Sequence, residues 1–347
     1  MDEQRRLFES EERSIRIKYR LKMYTLLLAT ILAGILSFWV GYYPLKPGEV
    51  ILAFVSRPGI SVDVLPQAVT IFWSVRFPRI LSALLIGACL SVSGAVYQGM
   101  FRNPLVSPDI LGVSAGASMG AALSIYLGLP YWTIQIFAFS FGILAVSLSY
   151  LISRKSRHSQ ILSLVLTGTM ISSLCNSVVT MIKYISDPND VLQQITFWLM
   201  GSLTKVNIDS IALSAGPMIA GMTVIYLLRW RVNLLALEDE EAKSLGINIH
   251  RYRFILIIAS TLLSAASVCL GGLIGWVGLM IPHLCRSVFG PDYGRLVPGC
   301  MLMGGCYLLL MDDLARSLLT MEIPIGVVTA CMGAPFFITL ILRRKEL

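Results

Sequence analysis

The sequence predicts an all-α, polytopic membrane protein of about ten transmembrane helices, with both termini on the cytoplasmic side. Three observations carry this reading. Of 347 residues, 56% are hydrophobic and 14% charged, against about 25% charged in an average soluble domain. The apolar residues gather into stretches near the ~20 residues that a helix needs to cross the hydrocarbon core. Finally, of 28 Lys and Arg residues, 21 fall on one alternating set of connecting segments and 7 on the other, and such a bias marks the richer set as cytoplasmic. A disordered chain, a soluble enzyme and a nucleic-acid-binding module are excluded. The net charge of +8 punctuates apolar spans and does not line one face, so no nucleic-acid partner is expected.

Residues 1–23 read as a charged cytoplasmic tail and residues 24–347 as a single transmembrane domain. No small-residue cleavage site follows the first apolar run, so that span is expected to be retained. The spans are expected at 24–43, 80–100, 110–129, 131–152, 161–182, 208–228, 254–272, 273–288, 296–311 and 325–342. The second carries Ala83, Gly87, Ser91, Ala95 and Gly99, one small residue per turn; the third carries Gly112, Gly116, Gly120, Ser124 and Gly128. Helix attraction in lipid comes from close backbone approach, which small residues permit, so both stripes belong in a tight central core. The eighth span opens Gly271-Gly272-Leu-Ile-Gly275-Trp-Val-Gly278 and reaches Pro282, a poor continuous helix. It fits either a substrate-handling discontinuity or a structural kink. Stretches 79–99 and 253–272 share a faint succession of Arg, Ile-Leu, Ser and Gly and run in opposite directions, as an inverted repeat would.

The long cytoplasmic segment 229–253 contains Glu238-Asp239-Glu240-Glu241, acids suited to the start of a short helix, with Gly246 placed as its C-terminal cap. Leu237, Ala242 and Leu245 give it a modest apolar face. A helix so short is marginal unaided, which leaves a solvated loop helix and a partner-docking element both open. On the outer side stand Arg76, Arg79 and Arg316, with Asp312 and Asp313 nearby; by the residues alone these read as snorkelling anchors and an i,i+4 ion pair. Catalytic motifs are absent. No glycine is followed by lysine, so there is no phosphate-cradling loop, and no zinc-hydrolase or nucleophile-elbow motif occurs. The seven cysteines, odd in number and without C-x-x-C, read as packing residues, and the three histidines are scattered; no metal site is expected. No span carries a central ionisable residue, so the relay of an ion-coupled pump is missing. Energy is therefore expected from another chain.

Several runs then resemble one family. These are Arg76-Phe-Pro-Arg79-Ile, Gly94-Ala-Val-Tyr-Gln98, Asn103-Pro104-Leu105-Val-Ser-Pro108-Asp109-Ile-Leu-Gly112, Ala242-Lys-Ser-Leu-Gly246, Gly278-Leu-Met-Ile-Pro282-His283, Pro324-Ile-Gly326 and Gly333-Ala-Pro335-Phe336-Phe. They are similar to the permease subunits of ABC importers for iron chelates, haem and vitamin B12, colinearly over about residues 25–345. The resemblance implies a ten-helix subunit paired with a second copy or a paralogue. It implies two ABC ATPase subunits, which hold the ATP and Mg, on the cytoplasmic side, and a substrate-binding protein docked outside. This chain itself would bind no cofactor. By position, Arg76, Arg79 and Arg316 would meet acids on the binding protein, and Asn103 and Leu105 would line a cytoplasmic gate. Leu237, Glu241, Ala242, Leu245 and Gly246 would couple to the ATPase. A ferric siderophore is the expected cargo, with haem or cobalamin behind it. The competing reading, an ion-coupled secondary transporter or channel, requires a mid-span ionisable group.

Overall fold

A computed structural model describes residues 2–41, 43, 45–56, 66–156, 160–237, 241, 244, 248–319 and 321–343. The chain runs α1 (Asp2–Ser37), α2 (Pro47–Val55) and α3 (Pro66–Thr70), which passes through a π-turn (Ile71–Arg76) into α4 (Phe77–Met100). A 3₁₀ turn (Pro108–Leu111) leads to α5 (Val113–Tyr126), followed by α6 (Tyr131–Arg154), α7 (Gln160–Ile185), α8 (Val191–Leu199) and α9 (Ile208–Leu235). Then come α10 (Ile249–Gly271), α11 (Val277–Phe289), α12 (Tyr293–Ala315) and α13 (Ile325–Arg343). No strand occurs among the described residues. Among the described residues seven helices are long and apolar enough to cross a membrane, and α5, α11 and most of α13 are shorter apolar helices. Together they fall in order on the ten stretches read from the sequence.

The boundaries differ where a backbone group finds a partner that the sequence does not announce. The tail and first span form one helix, which stops at Ser37 and not at residue 43. It stops because guanidiniums take its orphan carbonyls: Arg316 Nη2 donates to the Ser37 carbonyl at 3.1 Å, and Arg76 Nη1 donates to that of Phe38. Cations at a helix C-terminus satisfy groups left without intrahelical donors. The third span starts at Val113, because Gly112 sits at φ +89° as its N-cap. Gly112 is thus a turn residue facing Ser172, not a member of a helix-packing stripe. Helix α8 and the outer helix α2 carry no long apolar run and were invisible to a span search. Side-chain caps open the long helices: Asn207 Oδ1 accepts from Ser210 N at 2.8 Å, and Asn248 Oδ1 from Arg251 N at 3.1 Å.

Helices α4 and α10 form the centre, each with 78% of its apolar window buried. They are the two stretches with the shared pattern. They meet through hydroxyls: Ser93 Oγ lies 2.8 Å from Ser264 Oγ and donates to the Ser260 carbonyl at 3.1 Å. Their buried arginines, Arg79 and Arg253, sit near opposite ends of the bundle.

The small residues of α4 pack on α12. Gly87 faces the Gly304 carbonyl and Ser91 Oγ donates to the Cys300 carbonyl at 2.6 Å. Ala95 is fully buried in the same core, and Gly99 lies under the Tyr293 ring. The α5 stripe meets α6: a Cβ on Gly116 would stand 2.6 Å from that of Ala145, and one on Gly120 would stand 2.7 Å from the Phe137 carbonyl carbon. Each stripe thus packs on its own partner helix. Gly94, quoted from the sequence only within a family run and not as a packing residue, abuts the Gly278 backbone. All seven cysteines are free thiols.

Candidate translocation and docking surfaces

One end of the bundle carries an ion cluster built from four elements. Arg79, at the start of α4, donates from Nε to both oxygens of Asp312 on α12 at 2.9 Å. Its Nη1 donates to both oxygens of Glu322 at 2.9 and 2.8 Å. Arg316 reaches Asp312 at 3.5 Å and also pairs with Asp313. Arg76, closing the π-turn, donates to the carbonyls of Phe38 and Tyr43. Two guanidiniums thus face three carboxylates, and the third, Arg76, is held by backbone carbonyls beside them.

All three arginines are buried and held on acceptors of their own chain, where by the residues alone they read as snorkelling anchors. Burial in a low-dielectric end requires this: a guanidinium out of water must find its counter-charge or its carbonyls nearby. Glu322 alone is substantially open, its side chain 43% exposed. It also accepts from Thr204 Oγ1 at 2.8 Å, tying the α8–α9 connection to the cluster. Burial pushes its carboxyl up, but the charge and hydrogen bonds of Arg79, with Thr204 and Arg316, outweigh that and hold it below the usual glutamate value.

Beside this cluster the chain unwinds between α10 and α11. The Gly271 carbonyl accepts from Ser202 N at 2.9 Å, and the Gly201 carbonyl accepts from Ile325 N at 3.0 Å. Protein backbone thus closes the carbonyl freed at the break, as membrane depth demands, and the second bond ties the end of α8 to the start of α13. Trp276, at φ +70°, fills the space left by Gly333 on α13. The discontinuity therefore joins α8, α11 and α13 in one place, against a cavity of 580 Å³ reached by Trp198, Lys205 and Glu322.

At the opposite end, marked by the Lys22 Nζ bond to the Val288 carbonyl at 2.6 Å and by Arg286 donating to Gln98 at 2.6 Å, lies the turn after α4. Asn103 Oδ1 accepts from Leu105 N at 2.9 Å, which shapes the turn and leaves Leu105 62% exposed. The turn leads into Asp109, which accepts from Ser114. Asp109 opens a groove of 650 Å³ along α7, lined by Thr169, Ser172, Ser173, Asn176, Ser177 and Thr180. These six fall at helical spacing on one face over about 16 Å of helix. Thr169, Ser172, Ser177 and Thr180 donate to carbonyls of their own helix at 2.8–2.9 Å. Their protons are occupied while their lone pairs face outward. The sequence reading missed this stripe, although its three- and four-residue spacing is plain in 169–180.

In the proposed coupling segment, Leu237 is 37% exposed just beyond α9, and Ser244 Oγ donates to the Glu241 carbonyl at 2.7 Å, as in a helical turn. Ala242, Leu245 and Gly246 lie outside the described residues.

Comparison with known proteins agrees with this architecture. The pattern of the FecCD transport family matches residues 27–343. The chain belongs to the FecCD family. It is 38% identical to the molybdate import system permease MolB of Haemophilus influenzae over 93% of this chain and 96% of that one. It is 36% identical to a probable iron chelatin permease of Helicobacter pylori, over 94% and 99%. A solved structure described as an inward-facing conformation of a putative metal-chelate type ABC transporter superposes with TM-score 0.84 at 38% identity, covering 93% of this chain and 99% of that one. This FecCD chain is thus a multi-pass permease of the inner membrane, all-helical and of the ABC-importer class.

Proposed function

We propose that the protein is the membrane-spanning half of an importer that carries a metal chelate, ferric siderophore first, between two permease subunits by alternating access. One observation carries the proposal: α7 exposes a hydroxyl and amide stripe on the wall of an otherwise apolar bundle. Six polar side chains do not face lipid tails at membrane depth, so the stripe faces a wet passage completed by a second subunit. Its neutral lining, with Asp109 at one end, suits a bulky ligand that slides past hydroxyls and is not gripped.

In this reading Asn103 and Leu105 form the cytoplasmic gate, and segment 237–246 seats in separate ATPase subunits, which bind the ATP and Mg. A binding protein docks over the end held by Arg76, Arg79 and Arg316. Since Glu322 covers Arg79, an incoming carboxylate reaches that guanidinium by exchanging with Glu322. Charge-assisted pairs of this kind steer docking and set its register.

A second reading, molybdate as cargo, is favoured by the similarity to MolB. It sits less well with a groove lining that offers no cation to an oxyanion. Both are separated by uptake into proteoliposomes holding the permease, its ATPase and the cognate binding protein, offered radiolabelled iron chelates, haem, cobalamin and molybdate. ATP-dependent chelate uptake is expected. Molybdate uptake alone would replace the chelate reading, and uptake driven by an ion gradient without ATP would overturn the importer reading.

A further inference from the structure

Two adjoining cavities lie between α6 and α10, away from the surfaces above. The first, of 600 Å³, lies between the end of α6 and the start of α10 and is lined by Ser153, Arg154, Ser156, Asn248, His250 and Arg251 together with two rings. Among the described residues it is lined by two guanidiniums and no carboxylate. By the distribution of Lys and Arg it lies at the cytoplasmic membrane surface. The second, of 340 Å³, runs from it along the membrane-embedded parts of the same helices, over Val146, Leu151, Ile257 and Ile258. Tyr150, Arg154 and Phe254 line both. The rings of Tyr150 and Phe254 stand 5.1 Å apart at the junction, the level where aromatic side chains mark the border between headgroups and hydrocarbon.

We propose that this cleft binds one anionic phospholipid of the inner leaflet. The phosphate sits between Arg154 and Arg251, the glycerol lies at the Tyr150–Phe254 pair, and an acyl chain lies in the apolar groove. Each half of the cleft supplies one half of that chemistry. Arg forks match phosphate oxygens, and basic pockets between transmembrane helices on the cytoplasmic side hold acidic headgroups. An apolar trough opening sideways onto the bilayer accepts a lipid tail and no soluble anion. The site also places a lipid at the start of α10, which leads directly from the segment proposed to meet the ATPase, so an occupied cleft would brace that junction.

The test titrates the purified full-length chain with phosphatidylglycerol and with phosphatidylcholine, reading bound lipid by native mass spectrometry. Phosphatidylglycerol is expected to bind at least tenfold more tightly. Arg154→Ala with Arg251→Ala should weaken it about 25-fold, from a factor of about five for each basic group facing an acidic surface. Ser147→Trp, placed on the exposed rim of the apolar groove, should weaken it at least fivefold with no change in charge, and it carries the test if the double variant fails to fold. Lys18→Ala with Arg20→Ala on α1 should leave binding unchanged, and millimolar inorganic phosphate should not displace the lipid. Equal affinity for phosphatidylcholine, indifference to Ser147→Trp, or displacement by phosphate would overturn the proposal. So would loss of ATPase association in the arginine variants with the lipid titration unaltered.

Discussion

Replacing Asp312 by alanine tests whether the ion cluster is a balanced structural unit. The Asp312 side chain is 0% exposed and accepts from Arg79 at 2.9 Å, with Arg316 at 3.5 Å. Deleting it leaves three guanidiniums against two carboxylates at a buried end. Removing one partner of a buried pair costs about 3–5 kcal/mol. The retained pairs, Arg79 with Glu322 and Arg316 with Asp313, place this case near the lower figure. About 3 kcal/mol corresponds to roughly two powers of ten in the unfolding equilibrium. Removing Arg79 as well, as Arg79→Met with Asp312→Leu, deletes one charge of each sign, and half-exposed Glu322 can turn to water. That double variant should therefore be more stable than Asp312→Ala alone. Denaturant unfolding in detergent micelles, followed by tryptophan fluorescence, of the parent, Arg79→Met, Asp312→Leu and their combination gives the cycle. If Asp312→Ala stays within about 0.5 kcal/mol of the parent, or if the effects simply add, the cluster is not a coupled unit and the reasoning fails.

Three further expectations follow from the same geometry. Gly94→Leu should abolish folded protein on fluorescence-detected size exclusion, since its Cβ would enter the Gly278 backbone, whereas Gly34→Ala, with nothing within 4 Å, should be neutral or raise stability by up to about 1 kcal/mol. Glu322→Gln should lower thermal stability at neutral pH; because the folded carboxyl titrates below its unfolded value, the native glutamate's advantage is full above about pH 4.3 and is lost as pH falls through the folded value, so melting curves of the two proteins should converge there. Ser173→Leu with Asn176→Leu and Ser177→Leu should leave melting temperature near the parent and cut chelate uptake at least tenfold; uptake at the parental rate would remove the stripe from the pathway.

Much of the architecture was legible because lipid makes it so. A backbone that cannot hydrogen-bond to its solvent must close its bonds within each span, so apolar length alone located ten stretches, and loop charge ordered them. The motif around Arg76-Phe-Pro-Arg79 identified the family, since long colinear runs do not recur by accident. Periodicity also marked Gly87, Gly116 and Gly120 as points of close approach. Which helix each of them approaches was not legible, because a stripe specifies a groove and not its occupant.

The tertiary structure decided what depends on residues far apart in the chain. Arg79 meets Asp312 across 233 positions and Glu322 across 243, and only such meetings turn Arg79 from an apparent outer anchor into a buried, paired group. Gly112 changes from packing residue to left-handed turn through a backbone angle that composition does not encode. The helix break after Gly271 has its freed carbonyl closed by the backbone N–H of Ser202, remote in sequence. The local rules of helix and membrane are carried by each residue and its near neighbours, whereas pairing of buried charge and closure of broken backbone are settled by whichever distant groups the fold delivers.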